Sequence, residues 1–433
     1  VREFEVVLND CAGVAVPGGP LSLRTRETDI GPRNFDLNFT RVAEGLPRQL
    51  EPRELDWLET VGHLFAVDLA CKRGEGDVEW ARSIRAHLPV RDPDFWNGVA
   101  SQVQGVFEDF TSDRLELVFV ADDTPSDAPR QRADPFPQHD SVALLSGGVD
   151  SFVGAFEMLD RGMAPLALSH TAAGSITAAQ NKAEERIRTS APDFERITVT
   201  ARKHGKDFPT PEPSQRARTM LFLGAAAVIA AVGGSSDVLI NENGVMAIHL
   251  PLTVARIGSQ STHTAAPRIL ERLATLATEV LGAEVRIANL LLPLTKPEVV
   301  EASLRLGVAD HLKDTVSCWS IGRTSRHCGV CSPCLMRRIS LERHGVEDVE
   351  YHKDAFNDPE ILEDAFAADN LSHLVRLVDG IAGSNDLQLQ LEFPELLNGG
   401  RTMDLAAAID LHRRWADQAS ASLYAAPVPT GIR

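Results

Sequence analysis

Long apolar runs are missing from this 433-residue chain. None approaches the roughly 18–20 residues needed to span a bilayer, and the Ala/Val-rich stretch Leu221–Val232 is too short. The first residues, Val1, Arg2 and Glu3, carry no signal-peptide pattern, so a cytoplasmic location without a membrane partner is expected. Basic charge is scarce as well: 43 Lys and Arg against 61 Asp and Glu give a formal net charge of −18. Such acidity excludes a protein whose whole surface grips nucleic acid or anionic lipid, though not one local basic pocket. Cysteine is sparse and uneven. Cys11 and Cys71 stand alone and read as small buried hydrophobes, whereas Cys318, Cys328, Cys331 and Cys334 share one short segment. In a long chain without a secretory signal, clustered thiols point to metal rather than to disulfides.

What is present is average globular composition, 43% hydrophobic and 24% charged, over a length that suits two or three domains. Residues 1–121 read as an N-terminal α+β module. Phe4 and Val6 alternate with polar neighbours as in a strand, and Leu55, Leu58, Val61, Phe65 and Leu69 recur at helical spacing. A second helical stripe runs from Trp96 to Phe110, and Arg114–Ala121 alternates as a strand. Residues 122–140, with four prolines, read as an extended linker. From 141 to 347 short apolar strands alternate with helices: strands at Ser141–Leu145, Pro165–Ser169, Arg196–Thr200, Asp237–Asn241 and Glu284–Leu291, with helices between them and after Lys296. That alternation predicts right-handed βαβ units and a parallel α/β sheet with ligands beyond the carboxyl ends of its strands. Residues 348–433 read as a helical region devoted to packing, with a frayed end from Ala425.

The stretch Leu145-Ser146-Gly147-Gly148-Val149-Asp150-Ser151 follows a strand and opens a helix. Backbone N–H groups and the helix dipole favour an anion there, and the two glycines allow close approach of a phosphate. It lacks the lysine of a Walker loop. The run Ser-Gly-Gly-Val-Asp-Ser resembles the PP-loop of N-type ATP pyrophosphatases, which implies a Rossmann-like adenine nucleotide α-hydrolase fold. It also implies ATP with Mg²⁺, held by Ser146, Gly147, Gly148, Val149, Asp150 and Ser151. Asp150 is then a candidate for orienting the loop or approaching Mg²⁺; its plainer role is to cap the adjacent helix. Further along, Cys318, Cys328, Cys331 and Cys334 offer four soft ligands in a knuckle whose turns suit Gly329 and Pro333, the pattern of a structural Zn²⁺ site. His327 is the alternative ligand, expected instead to be exposed.

Together these features resemble the 7-cyano-7-deazaguanine synthase family, over about Ser141–Gly345. Arg218-Thr219-Met220-Leu221-Phe222-Leu223 resembles that family's arginine-led helix, and Leu294-Thr295-Lys296-Pro297-Glu298 its Thr/Asn-Lys-Ala-Glu segment. Thr315–Trp319 resembles its zinc entry, and Cys328–Cys334 with Arg337 its close. The resemblance implies ATP-dependent adenylation of a deazaguanine carboxylate, 7-carboxy-7-deazaguanine, with Arg218 and Lys296 contacting phosphate or adenylate. In place of the family's Tyr-Pro-Asp-Cys-Arg substrate loop the chain reads Ile240-Asn241-Glu242-Asn243-Gly244-Val245-Met246-Ala247. Glu242 and Asn243 are the expected substrate contacts. The added N- and C-terminal parts are similar to those of enlarged relatives in bacterial antiphage systems such as Qat and type IV CBASS. That likeness implies an amine on a partner protein of the same operon as acceptor, in place of ammonia. Two rivals remain: a tRNA-thiolating PP-loop enzyme, which the charge disfavours, and a non-catalytic ATP-binding defence scaffold.

Overall fold

A computed structural model describes residues 1–14, 19–74, 80–122, 135–171, 174–251, 264–324 and 326–425. Two sheets form. The first has the order β2 (Leu21–Leu23), β1 (Arg2–Leu8), β4 (Arg82–Val90), β5 (Arg114–Ala121), and all its strands run parallel. The second has the order β10 (Arg286–Ala288), β9 (Asp237–Leu239), β6 (Ser141–Leu144), β7 (Pro165–His170), β8 (Arg196–Lys203), β3 (Phe35–Asn38). It too is parallel except at its edge, where β3 pairs antiparallel with β8. Buried on both faces, β7 carries the near-continuous apolar run Pro165–Ser169 that such a strand requires. This is the predicted α/β core.

The N-terminal part does not stand apart from that core. β3 leaves it to join the second sheet, and the helix Pro52–Ala70 packs against the helix Arg218–Gly233. The Trp57 indole donates to the Gly224 carbonyl across this contact at 2.9 Å. Gly224 is small for a reason: a Cβ there would come within 2.8 Å of the Val61 side chain. Of the expected linker, residues 123–134 lie outside the described residues; Phe136 bonds back to Gly45 through its N–H at 2.8 Å.

Several boundaries move. The helix expected from Ser214 starts at Arg218, because Gln215 takes a left-handed φ of +47° and Glu212 accepts the Ser214 N–H. The last strand stops at Ala288, since Asn289 turns its side chain onto the backbone of Glu242 and Leu291. The C-terminal region is helical as expected, with helices Ala365–Gly383, Asp386–Glu392 and Leu405–Ala425. Leu374, Val378, Ile381, Ile409 and Trp415 are buried there, while residues 426–433 of the expected frayed end lie outside the described residues. Among the described residues no helix is long and apolar enough to cross a membrane.

Candidate functional site

The loop after β6 is held open from within. The Ser146 and Ser151 hydroxyls stand 3.0 Å apart, and Ser151 also accepts the Ser146 N–H at 3.2 Å. Gly147 adopts φ +85°, and a Cβ there would press 3.2 Å from the Gln180 backbone nitrogen. Gly148 caps the helix Val149–Asp160 without any side-chain hydrogen bond, so the helix N-terminus presents its dipole and N–H groups to the space above it. Capping is therefore not what Asp150 does; its carboxylate turns elsewhere.

That carboxylate sits in a buried cluster. Lys296 Nζ lies 2.8 Å from Asp150 Oδ1, and Asn243 Nδ2 donates to Oδ2 at 2.9 Å. Glu242 hydrogen-bonds to it as well. The Lys296 side chain is only 11% exposed. Burial pushes the Asp150 carboxyl up, but the Lys296 charge and the hydrogen bonds from Glu242, Lys296 and Asn243 win and hold it below the ordinary value. Glu242 moves the other way: burial and the Asp150 charge raise it well above 4.5. The two carboxyls are thus pushed in opposite directions, Asp150 toward the ionised form and Glu242 toward the protonated form.

Glu242, raised in the folded state, contributes stability that is complete below its unfolded pKa and is lost as pH rises through its folded pKa. Asp150, depressed, contributes stability that is present above its unfolded pKa and is lost as pH falls through its folded one. Glu242→Gln, which still donates to Asp150 but never ionises, is expected to raise Tm relative to the wild type more at pH 8 than at pH 5; melting curves across that range check the difference.

Ser146, Ser151, Asp150, Glu242, Lys296 and Arg218 all line one cavity of about 390 Å³ beyond the carboxyl ends of β6, β7 and β9. Arg218 is exposed at its rim, with Gln215 Oε1 as a 3.4 Å contact. Among the described residues no carboxylate forms an ion pair with it, so its charge remains directed to the cavity. The N-terminal part sets its position: the helix Arg218–Gly233 lacks a side-chain cap of its own, and Asp68 accepts the Ala217 N–H at 2.9 Å while bonded to Arg82 at 2.7 Å.

The four cysteines are all buried, and their sulfurs lie within 4.8 Å of one another. A Zn–S distance of about 2.3 Å places tetrahedral sulfurs about 3.8 Å apart, and Cys328 and Cys334 stand at 3.9 Å. Backbone N–H groups of Ser320 and Cys328 point at Cys318 Sγ, each at 3.3 Å, which favours thiolate there. The donor set fits zinc. Gly329 adopts φ +83°, and a Cβ on it would sit 1.8 Å from the Lys353 carbonyl oxygen. The segment reaches the phosphate loop directly, through Val316 N–H to the Gly147 carbonyl at 2.9 Å. His327 overturns its expectation of exposure: it is 4% exposed, and its Nε2 accepts the Ser317 N–H at 3.1 Å. It braces the Cys318 turn, where an exposed ring would leave that N–H unpaired in the interior.

Comparison with known proteins places this constellation. The family model described as "Queuosine biosynthesis protein QueC" matches residues 140–345. The 7-cyano-7-deazaguanine synthase of Thiobacillus denitrificans is 32% identical over 225 residues, which is 48% of this chain and 96% of that protein. Those of Xanthomonas campestris pv. campestris (strain B100) and Myxococcus xanthus are 30% and 29% identical, covering 97% and 95% of their own lengths. The chain belongs to the QueC family.

In this QueC-family chain the matched range contains the loop, Arg218, Glu242, Lys296 and the four cysteines. Asp68 and the whole helix Leu405–Ala425 fall outside it. Three cavity residues were not among the expected contacts, though two of them lie in the motifs quoted above. His170 ends β7, donates from Nε2 to the Ala201 carbonyl at 3.0 Å, and has its pKa lowered by burial. Phe222 packs on it with ring centroids 5.1 Å apart. Trp319, 61% exposed, follows the ligand Cys318 directly. The first was detectable as the residue just past an expected strand, the third as the neighbour of a ligand.

Proposed function

We propose that the chain activates a 7-deazaguanine carboxylate, 7-carboxy-7-deazaguanine, with ATP and passes the acyl group to an amine. One observation carries the reading: a single cavity joins a phosphate loop without a side-chain cap to a carboxyl–lysine cluster and to an arginine that has no ion pair among the described residues. ATP would lie with its phosphates on Ser146–Ser151. Asp150 and Glu242, the latter giving up its proton to solvent beside the cation, would hold Mg²⁺, an ion that takes one or two carboxylates and the phosphates of its substrate, and its charge would offset that of the phosphates. Lys296 and Arg218 would neutralise the charge that grows as the substrate carboxylate oxygen bonds to the α-phosphorus and the bond to pyrophosphate breaks. The amine nitrogen then bonds to the acyl carbon, AMP leaves with the electron pair, and the amine proton passes to solvent. Zinc on Cys318, Cys328, Cys331 and Cys334 is structural: four protein ligands leave no open position.

We infer that the acceptor is an amine on a protein partner, in a defence setting, because the 1–139 and 346–433 parts lie outside the matched range and the Ile240–Ala247 segment departs from the family's substrate loop. Ammonia is the second acceptor, favoured by the relatives' name of 7-cyano-7-deazaguanine synthase. The mass of the product made from 7-carboxy-7-deazaguanine and ATP, with ammonia or with candidate partner proteins, decides. A deazaguanine acyl adduct on protein is the expected product; free amide, or the nitrile left when a second ATP activates that amide oxygen and it departs as phosphate ester, would assign ammonia and remove the protein acceptor.

A further inference from the structure

We propose that the helix Leu405–Ala425 is a positioning device for the Asp150 cluster, with Arg414 and Gln418 as the residues that hold Lys296 in place. This rests on the reading of the cavity as the adenylation site. Arg414 and Gln418 are four residues apart and therefore share one face. Both reach the turn that carries Lys296. Thr295 and Glu298 form a reciprocal capping box around the start of the helix Lys296–Arg305: the Thr295 N–H donates to Glu298 at 2.9 Å, and the Glu298 N–H donates to Thr295 Oγ1 at 3.3 Å. Gln418 closes this box from outside, accepting from Thr295 Oγ1 at 2.5 Å and donating to Glu298 Oε1 at 3.1 Å. Arg414 pairs with the same Glu298 carboxylate and donates to the Pro293 carbonyl at 2.9 Å. Lys296 is the first residue inside the box.

One turn earlier the same helix holds the other partner of Asp150. Leu411 packs so closely on Gly244 that a Cβ there would lie 2.5 Å from its methyl carbon and 2.0 Å from the Leu292 carbonyl oxygen. The His412 Nε2 stands 2.9 Å from the Ile248 carbonyl. Between them runs the short helix Gly244–Ala247 that Asn243 caps, and the Gly244 N–H bonds to Leu294 at 2.8 Å, linking the two turns. One helix thus backs both the lysine and the asparagine that grip Asp150. Neither Arg414 nor Gln418 lines the cavity, so they act through Glu298 and Thr295. A lysine carries a long flexible stem, and its charge is useful at one point only if its root is fixed.

The test is lysine reactivity in the full, zinc-loaded chain. Reductive methylation with formaldehyde and cyanoborohydride, read residue by residue by peptide mass spectrometry, compares the wild type with Arg414→Ala/Gln418→Ala and with Gln418→Ala alone. Asp417→Ala, exposed on the same helix, is the control. The double variant is expected to methylate Lys296 about fivefold faster or more, since opening of the box frees the amine, with Lys206 and Lys313 unchanged. Its turnover per folded molecule is expected to fall about tenfold or more through misplacement alone. Gln418→Ala should show a smaller change of the same sign, and it serves if the double variant does not fold. A folded variant whose Lys296 reacts at the wild-type rate overturns the proposal. Labelling needs no turnover, so a wild type that forms no adenylate would refute the adenylation reading and leave the labelling result standing.

Discussion

Lys296→Met is expected to lower the rate of adenylate formation by about 10²–10³-fold, the scale set by removing one preorganised charge from a transition state. Methionine keeps most of the stem and its packing but none of the charge. The loss has two sources. The first is the missing cation opposite the phosphates. The second is Asp150, held below its ordinary value only because the Lys296 charge and the hydrogen bonds of Glu242, Lys296 and Asn243 together outweigh burial. Without that amine, burial raises Asp150 toward protonation. The acid limb of the pH–rate profile should therefore move to higher pH in the variant. Lys296→Arg restores charge without the point geometry and should recover part of the rate and most of the shift. Rapid-quench measurement of pyrophosphate release separates these effects from product release. Asp150 and Lys296 are 7% and 11% exposed, so the loss of stability on breaking the pair should be smaller than the roughly 3–5 kcal/mol of a fully buried one.

Removing the metal ligands should act more broadly. Cys331→Ser is expected to abolish the zinc content measured by elemental mass spectrometry, and with it the folded state of residues 316–353. Binding of structural zinc is worth about 10–16 kcal/mol in small domains where it is coupled to folding. Cys331 is also the cap of the helix Ser332–Arg343, so the substitution removes a ligand at the point where that helix begins. The effect reaches the phosphate loop, because Val316 holds the Gly147 carbonyl: nucleotide binding should weaken together with zinc content. Gly329→Ala tests the same link without touching a ligand. Its Cβ has nowhere to go against the Lys353 carbonyl, so zinc affinity should fall. Limited proteolysis within 316–353 reports both variants.

The parts of the fold that were legible are those where local pattern and tertiary role agree. Arg114–Ala121 alternates because one face of an edge strand is buried, and it forms as read. Pro267–Leu281 carries a proline at its start and Gly282 in a left-handed conformation at its end, and its core-facing leucines recur at helical spacing. β4 was illegible for the opposite reason. Ile84, Ala86, Leu88 and Val90 alternate, but Arg82 on the inward face and Pro89 on the outward one break the pattern; Arg82 is buried only because Asp68 and Asp113 neutralise it. The glycine turn and the thiol spacing revealed the loop and the metal knuckle, since their chemistry is local. The carboxyl cluster is not local: Asp150, Glu242 and Lys296 come from three separate crossovers, and no spacing announces that they meet. The C-terminal helix was read as packing. Its apolar face does pack, through Trp415 and Ala416, while Arg414 and Gln418 on its other face reach the site's support, a contact that only the folded chain creates.

The most direct test of adenylation is exchange of labelled pyrophosphate into ATP by zinc-loaded protein, with and without 7-carboxy-7-deazaguanine and in the absence of any amine. Exchange is expected to require the carboxylate and to disappear in Lys296→Met. Protein that binds ATP yet exchanges no pyrophosphate when the carboxylate is present would contradict adenylation.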